Sequence, residues 1–333
     1  MKGGSAAGAN SSSMKAIAIR DGALVWDEAP TPELKDGEVL VRVHATAINR
    51  ADLSQRSGRY PPPPGASEIM GLECSGVIEN LGPNVSGHQV GDQVCALLAG
   101  GGYAEFVALP ASHTLPIPQG IDLETAAGIV EVFATAWLNL RLEGELKDGE
   151  RVLVHAGASG VGTACIQLCK AWGNPIFVTV GDAAKQEYCQ KLGASGSANR
   201  HDGPWDEAVR NWGGADVILD PVGGSYLEMN VQALKPRGRL VNIGLMGGAQ
   251  GTLPMGVMMV KRLCLRGSVL RSRSREEKDV ILAGLRREVW PLLESGAVKP
   301  IIEKVFPIEE AEQAHALVNS NETIGKVLLR VRP

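Results

Sequence analysis

From Val152 onward the chain alternates short apolar runs with longer stretches of helical spacing, and few folds accept that rhythm. The runs are Val152-Leu-Val-His155, Ile176-Phe-Val-Thr-Val180, Val217-Ile-Leu-Asp220, Leu240-Val-Asn-Ile243 and Leu265 to Leu270. Strands that are apolar along their length are buried on both faces, and consecutive parallel strands need a crossover helix between them. The expected class is therefore α/β, built of βαβ units around a parallel sheet buried on both faces. The first run leads through Gly157-Ala-Ser-Gly-Val-Gly162 into Thr163-Ala-Cys-Ile-Gln-Leu-Cys-Lys170, which has helical spacing.

Set against the dinucleotide fingerprint G-x-G-x-x-G, this turn carries Ser159 at the second glycine, where backbone must approach a pyrophosphate closely. Serine is the next smallest choice and adds a hydroxyl donor. The turn either holds a dinucleotide or is a plain tight bend; its place between a strand and a helix favours the first, because free N–H groups at a helix start receive phosphate. The tip of the next strand normally selects the nicotinamide cofactor, an acidic side chain for the ribose 2′-OH or basic groups for a 2′-phosphate. Here Gly181 stands 19 residues after Gly162, with Asp182 adjacent and Lys185 and Arg200 further on. Asp182 is either a ribose ligand or the N-cap of the following helix, and Lys185 and Arg200 are either phosphate ligands or solvated surface. The balance leans to NADP(H), with NAD(H) left open by Asp182.

Before Val152 the texture differs. From Met14 to about Thr135 the chain reads as strands punctuated by Gly and Pro: Val39 to Val43 alternates, and Gly76 to Ile78 and Gln93 to Leu97 are short apolar runs. After Arg275 come a helical stretch Glu276 to Glu294, a helix near Ile308 to Val318 and a last strand, Lys326 to Val331, which is expected to join the N-terminal β unit. Residues 1–13, small and polar, are expected to be a leader or disordered segment outside the fold.

With 333 residues, 44% of them apolar, about two domains are expected. A net charge of −4 gives no broad positive field for nucleic acid or anionic lipid. No run of 18 apolar residues and no charged-then-apolar leader is present, so no membrane partner and a cytoplasmic location are expected. The six cysteines lack C-x-x-C spacing and read as reduced core thiols.

The segments Asn49 to Tyr60, Pro62 to Ser67, Gly71-Leu-Glu-Cys-Ser-Gly76, His155 to Gly162 and Gly244-Leu-Met-Gly-Gly248 together resemble the zeta-crystallin-like quinone oxidoreductases of the medium-chain dehydrogenase/reductase superfamily. The likeness runs in consistent order from Met14 to Val331. It implies a GroES-like catalytic domain from residues 14–135 together with 286–333, a Rossmann domain over 136–285 inserted between them, and a homodimer. It implies an NADPH-dependent reductase of quinones. Asn49 and Tyr60 would stand beside nicotinamide and substrate as the catalytic pair, and Thr135 would touch the cofactor. Gly157, Ser159, Gly160, Val161 and Gly162 would cradle the pyrophosphate, Gly181 and Lys185 would face the adenosine ribose, and Arg200 would stand on the adenine side. Gly244, Leu245, Met246, Leu270 and Ser272 would line the nicotinamide, with Lys326 reaching the same place.

Several departures and alternatives go with that resemblance. Relatives often carry a tyrosine at Arg200 and a serine or threonine at Asp182. On residue chemistry alone, Tyr60 is also readable as a packing tyrosine, Asn49 as a turn residue and Lys326 as a solvated strand-edge lysine. The superfamily's zinc branch needs an early cysteine, a histidine in Gly-His-Glu and a later cysteine, whereas this chain has Asn49 to Asp52 without cysteine and Leu72 in Gly71-Leu72-Glu73, so no metal is expected. The expected reaction is hydride transfer to a quinone, with reduction of enal, enone or enoyl double bonds as the alternative. A third reading is a cofactor-holding binding protein with little turnover.

Overall fold

The computed structural model describes residues 12–332. Of the expected leader, residues 1–11 lie outside the described residues. Its last residue does not belong to a leader: Ser13 already opens β1 (Ser13–Arg20), which pairs antiparallel with β2 (Ala23–Pro30). The hairpin turns at Asp21 and Gly22, both at positive φ (50° and 81°), the geometry that matches strand twist in a two-residue loop.

A β-rich unit follows, comprising β3 (Glu38–Ala47), α1 (Arg50–Arg56), β4 (Glu73–Leu81), β5 (Gln93–Leu97), β6 (Phe106–Pro110) and β7 (Thr114–Pro116). In β3 the period of two is plain, since Val39, Val41, Val43 and Ala45 are all fully buried. The chain then turns helical through α2 (Leu123–Ala126), α3 (Val130–Trp137) and a π-helical turn over Leu138–Glu143. This corrects the expectation of strand-like structure up to Thr135: apolar residues such as Val130, Phe133 and Trp137 recur at helical spacing and are buried.

The nucleotide-type unit runs β8 (Val152–Val154), α4 (Gly160–Trp172), β9 (Ile176–Val180), α5 (Ala183–Leu192), β10 (Gly196–Asn199), α6 (Trp205–Trp212), β11 (Ala215–Asp220), α7 (Leu227–Ala233), β12 (Leu234–Asn242), α8 (Met255–Lys261) and β13 (Cys264–Gly267). All of its strand pairs are parallel, in the order β10-β9-β8-β11-β12-β13. That is the doubly wound order, and it places the reversal of winding between β8 and β11, where such sheets bind ligands beyond their carboxyl ends.

The rest is α9 (Arg275–Glu288), α10 (Trp290–Ser295), β14 (Ile302–Pro307), α11 (Ala311–Asn319) and β15 (Lys326–Arg330). The single helix expected over Glu276 to Glu294 is two, because Pro291 has no N–H to donate and sits in a first turn, where none is needed. β15 pairs antiparallel with β3, so the last strand completes the sheet β14-β15-β3-β4-β5-β7, with β6 also on β3. The chain therefore leaves the N-terminal sheet, builds the parallel one and returns. One buried cluster joins the two, running from Cys95 and Leu97 through Phe133 and Trp137 to Val152, Ile166 and Leu285.

Candidate active site

At the end of β8 the turn is shaped by close approach. None of Gly157, Gly160 or Gly162 needs a left-handed backbone, but each has lost the room for a side chain. A Cβ on Gly157 would stand 2.4 Å from Val178, one on Gly162 2.4 Å from the Ala156 carbonyl, and one on Gly160 2.6 Å from Lys326 Cδ. Ser159 is the N-cap of α4; its Oγ accepts from Gly162 N at 3.1 Å, which leaves its own O–H free to donate. Gly160 and Val161 sit in the first turn, where backbone N–H groups have no acceptor inside the helix. The Ser159 hydroxyl and the Val161 N–H are therefore left without an acceptor at a positive helix end, while the Gly160 N–H faces the Gly325 carbonyl across a parallel bridge.

Behind the turn, His155 belongs to a buried network. Its ring nitrogens meet Thr179 Oγ1 at 2.8 Å and Asn230 Oδ1 at 2.7 Å, while Asn230 donates to Asp220 Oδ2 at 2.8 Å. Asp220 in turn accepts from the backbone of Val222 and Gly223, so the ends of β8, β9 and β11 are tied together.

At the tip of β9, Asp182 caps α5 and accepts from Lys185 N at 2.8 Å, which is the N-cap reading. The Lys185 amine donates to the Asn321 carbonyl, and Asn321 also accepts from Arg50, so Lys185 is tied across to the C-terminal segment. Arg200 lies exposed beside Gly181, its guanidinium 3.5 Å from where a Cβ on that glycine would stand.

The second group of residues comes from elements far apart in sequence. Lys326 Nζ meets Glu73 Oε1 at 2.9 Å, Asn49 Oδ1 at 2.7 Å and the Ile48 carbonyl at 2.9 Å. Lysine has three donors, and all three are used. Lys326 is 4% exposed and Glu73 0%, so the solvated strand-edge reading of Lys326 does not hold. A charged group this deep persists only with a partner of opposite sign and full hydrogen bonding. Glu73 also accepts from Asn49 Nδ2 at 3.1 Å and from Glu131 N at 3.0 Å. Asn49 has both ends of its amide fixed, and it is the N-cap of α1 as well; turn chemistry and cluster membership coexist.

Below it, Asp52 accepts from Asn49 N at 2.8 Å and Gly71 N at 3.0 Å, and burial pushes its carboxyl up to about 6. Tyr60 is half-buried with the Arg271 guanidinium 5.3 Å above its ring, and burial raises its phenol. Arg271 is oriented by the Gln55 amide oxygen at 2.7 Å and the Ala99 carbonyl at 2.8 Å.

The two groups meet directly. Gly325 N donates to the Ala158 carbonyl at 2.8 Å, and a parallel bridge joins Gly325 to Ser159, so the residue before Lys326 docks on the glycine turn. Of the other expected residues, Gly244 packs against the Pro221 carbonyl, while Leu245 and Met246 are 58% and 52% exposed beyond β12. Thr135 is half-buried in α3, Leu270 is packed in the core and Ser272 is exposed. Sequence reasoning passed over Glu73, Glu131 and Arg271 as members of this group. Glu73 was visible in Gly71-Leu-Glu73; Glu131 and Arg271 carried no local signal.

Comparison with known proteins gives the same layout. Residues 35–119 match the alcohol dehydrogenase GroES-like domain family and residues 160–283 the zinc-binding dehydrogenase family. Quinone oxidoreductase of Sus scrofa is 32% identical, covering 90% of each chain. Synaptic vesicle membrane protein VAT-1 homolog of Danio rerio is 32% identical over 91% of this chain and 66% of its own length. The crystal structure of Escherichia coli quinone oxidoreductase complexed with NADPH superimposes with a TM-score of 0.84 at 28% identity, covering 96% of this chain and all of that one.

Zinc, which the second family's description implies, does not fit the residues present. Asn49 offers an amide and Leu72 a buried alkyl group, and the Glu73 carboxylate already accepts from an ammonium and two N–H donors. None of these is the soft or imidazole set that zinc prefers. A dinucleotide does fit, because the glycine turn presents donors where any added Cβ would collide.

Proposed function

Because the chain belongs to the medium-chain dehydrogenase/reductase superfamily, we propose that this oxidoreductase passes hydride from NADPH to a quinone or similar electrophilic acceptor without zinc. The observation that carries the reading is the docking of Gly325 on the glycine turn, which sets the Asn49, Glu73 and Lys326 cluster against the phosphate cradle. Bound NADPH supplies the hydride. The protein's part is to position and to exclude water.

In this reading Ser159, Gly160 and Val161 hold the pyrophosphate, with Gly157 and Gly162 making room. Arg200 beside Gly181 faces the ribose phosphate and Lys185 supports from Asn321. Thr135, Gly244, Leu245, Met246, Leu270 and Ser272 line the nicotinamide side. Lys326 acts through Asn49: with its three donors used, it fixes the amide that meets the nicotinamide. Tyr60, backed by Arg271, faces the acceptor oxygen. An acceptor that is already electron-poor needs no Lewis acid, which agrees with a donor set unsuited to zinc.

The same reading makes the protein a cytoplasmic homodimer acting on small molecules. No helix among the described residues is long and apolar enough to cross a membrane. The α8 face bearing Met255, Met259 and Val260, which are 60%, 69% and 84% exposed, leads directly into edge strand β13 and supports association. Parallel turnover assays with naphthoquinone and with a simple enone test the acceptor class. Faster NADPH oxidation with the quinone is expected; turnover confined to the enone would move the reading to double-bond reduction, and cofactor affinity without turnover would make it a binding protein.

A further inference from the structure

Glu131 is the one carboxyl of the cluster with nothing to do. Its backbone N–H is pinned to Glu73 Oε2 at 3.0 Å, which fixes the residue beside Asn49 and Lys326. Its own carboxyl makes no hydrogen bond or ion pair with any described residue, although cations surround it. Lys326 is spent on Glu73, Lys278 Nζ donates to the Arg271 carbonyl at 2.7 Å, and Arg271 donates to Gln55 and Ala99 through Nη2 and Nε, leaving its buried Nη1 without a partner. The side chain is half-buried, so part of it meets open space. It also lies close enough to Tyr60 for its charge to oppose ionisation of that phenol. A carboxyl held in the first turn of α3, unpartnered and open on one side, suits a group that meets a bound molecule.

We propose that Glu131 is the proton donor that completes reduction of the acceptor. The proposal rests on the hydride-transfer reading above. The charged and titratable groups facing it are Glu73, Asp52, Lys326, Lys278, Arg271 and Tyr60. The thiols of Cys95, Cys165 and Cys169, on elements packed against α3, are pushed up by burial and stay neutral. Burial first, and the Glu73 carboxylate second, push the Glu131 carboxyl up to about 8, so it carries its proton at neutral pH. An acid with a pKa near the working pH is the most useful kind.

The step balances. Hydride brings two electrons and one hydrogen to the quinone, which becomes a hydroquinone monoanion; NADPH becomes NADP⁺. The O–H bond of Glu131 breaks as the proton moves to the anionic oxygen, giving neutral hydroquinone and a carboxylate that water re-protonates. Tyr60, with its phenol raised by burial, orients the oxygen without giving up its proton.

Two measurements decide the matter. The first is a carbon-13 NMR titration of the resting protein carrying carboxyl-labelled glutamate, with Glu131→Gln used to assign the resonance. Titration near 8 is expected, and titration at the ordinary glutamate value of about 4.3 overturns the proposal. The second is the pH profile of kcat with NADPH and naphthoquinone. A raised carboxyl pKa means that the donor is present below it and lost above, so wild-type kcat falls as pH rises through about 8. Glu131→Gln loses that limb and slows by on the order of 10²-fold at pH 7 while its Kd for NADPH is unchanged; Glu131→Asp keeps the limb with a smaller loss. A Glu131→Gln enzyme with wild-type rate and an intact limb overturns this proposal alone. Wild-type protein that oxidises no NADPH with quinone brings down the functional reading and this proposal with it.

Discussion

The glycine turn and the Asn49, Glu73 and Lys326 cluster touch each other but are built by different means. The turn is local: a strand, six residues and a helix start, shaped by missing side chains and presenting backbone N–H groups. The cluster is assembled from β3–α1, β4 and β15, and it presents side chains whose charges are cancelled inside. A site of the first kind fails when something is added to it, one of the second kind when something is removed.

The largest effect is expected at the cluster. Lys326→Met strands the Glu73 carboxylate at 0% exposure, and breaking a buried pair from one side costs about 3–5 kcal/mol. Adding Glu73→Gln removes the stranded charge and should recover most of that loss. Urea denaturation midpoints read both. If Lys326→Met costs no more than a surface lysine does, the pair is not what holds the cluster.

A smaller effect is expected in the turn. Gly162→Ala drives a Cβ to within 2.4 Å of the Ala156 carbonyl and 2.5 Å of the Gly157 carbonyl, both backbone. Overpacking of this sort costs roughly 1–3 kcal/mol, and opening the turn should weaken NADPH binding together with thermal stability. Gly181→Ala is the control at the next strand. There the added methyl meets only the flexible Arg200 guanidinium at 3.5 Å, so stability should shift by less than about 0.5 kcal/mol. Equal losses at the two glycines would contradict a turn shaped by close approach.

An effect on binding alone separates two basic residues. Arg200→Ala should raise the KM for NADPH about tenfold while leaving that for NADH nearly unchanged, the loss expected for one hydrogen bond to a charged group. Lys185→Ala should do less, because its amine is already engaged with the Asn321 carbonyl. The reverse order would mean that Lys185 swings from Asn321 to the cofactor on binding.

The same contrast explains what could be read from the sequence. The β8 turn, the parallel-strand rhythm and the capping of α4 depend on neighbours in the chain, and Gly157 to Gly162 displays them openly. Lys326 shows why the cluster was harder to see. On a strand edge a lysine is ordinarily solvated, and only Glu73 and Asn49, brought in by folding, give it a buried place. Glu131 looks like a common acidic residue in a helix's first turn until Glu73 is found against its backbone. Strand β10 carries no clear sequence signal for a related reason: Gly196-Ser-Ala-Asn199 has little apolar content and is made a strand by pairing with β9. Asp182 could be read two ways because the choice depends on where its carboxylate points, and it points at Lys185 N.

The most direct test of the account is a fluorescence titration of the purified protein with NADPH and NADH in parallel, followed by addition of naphthoquinone. NADPH should bind more tightly than NADH and be oxidised when quinone is added. Absence of binding by either nucleotide would reduce the glycine turn to a bend, and tighter binding of NADH would contradict the role given to Arg200.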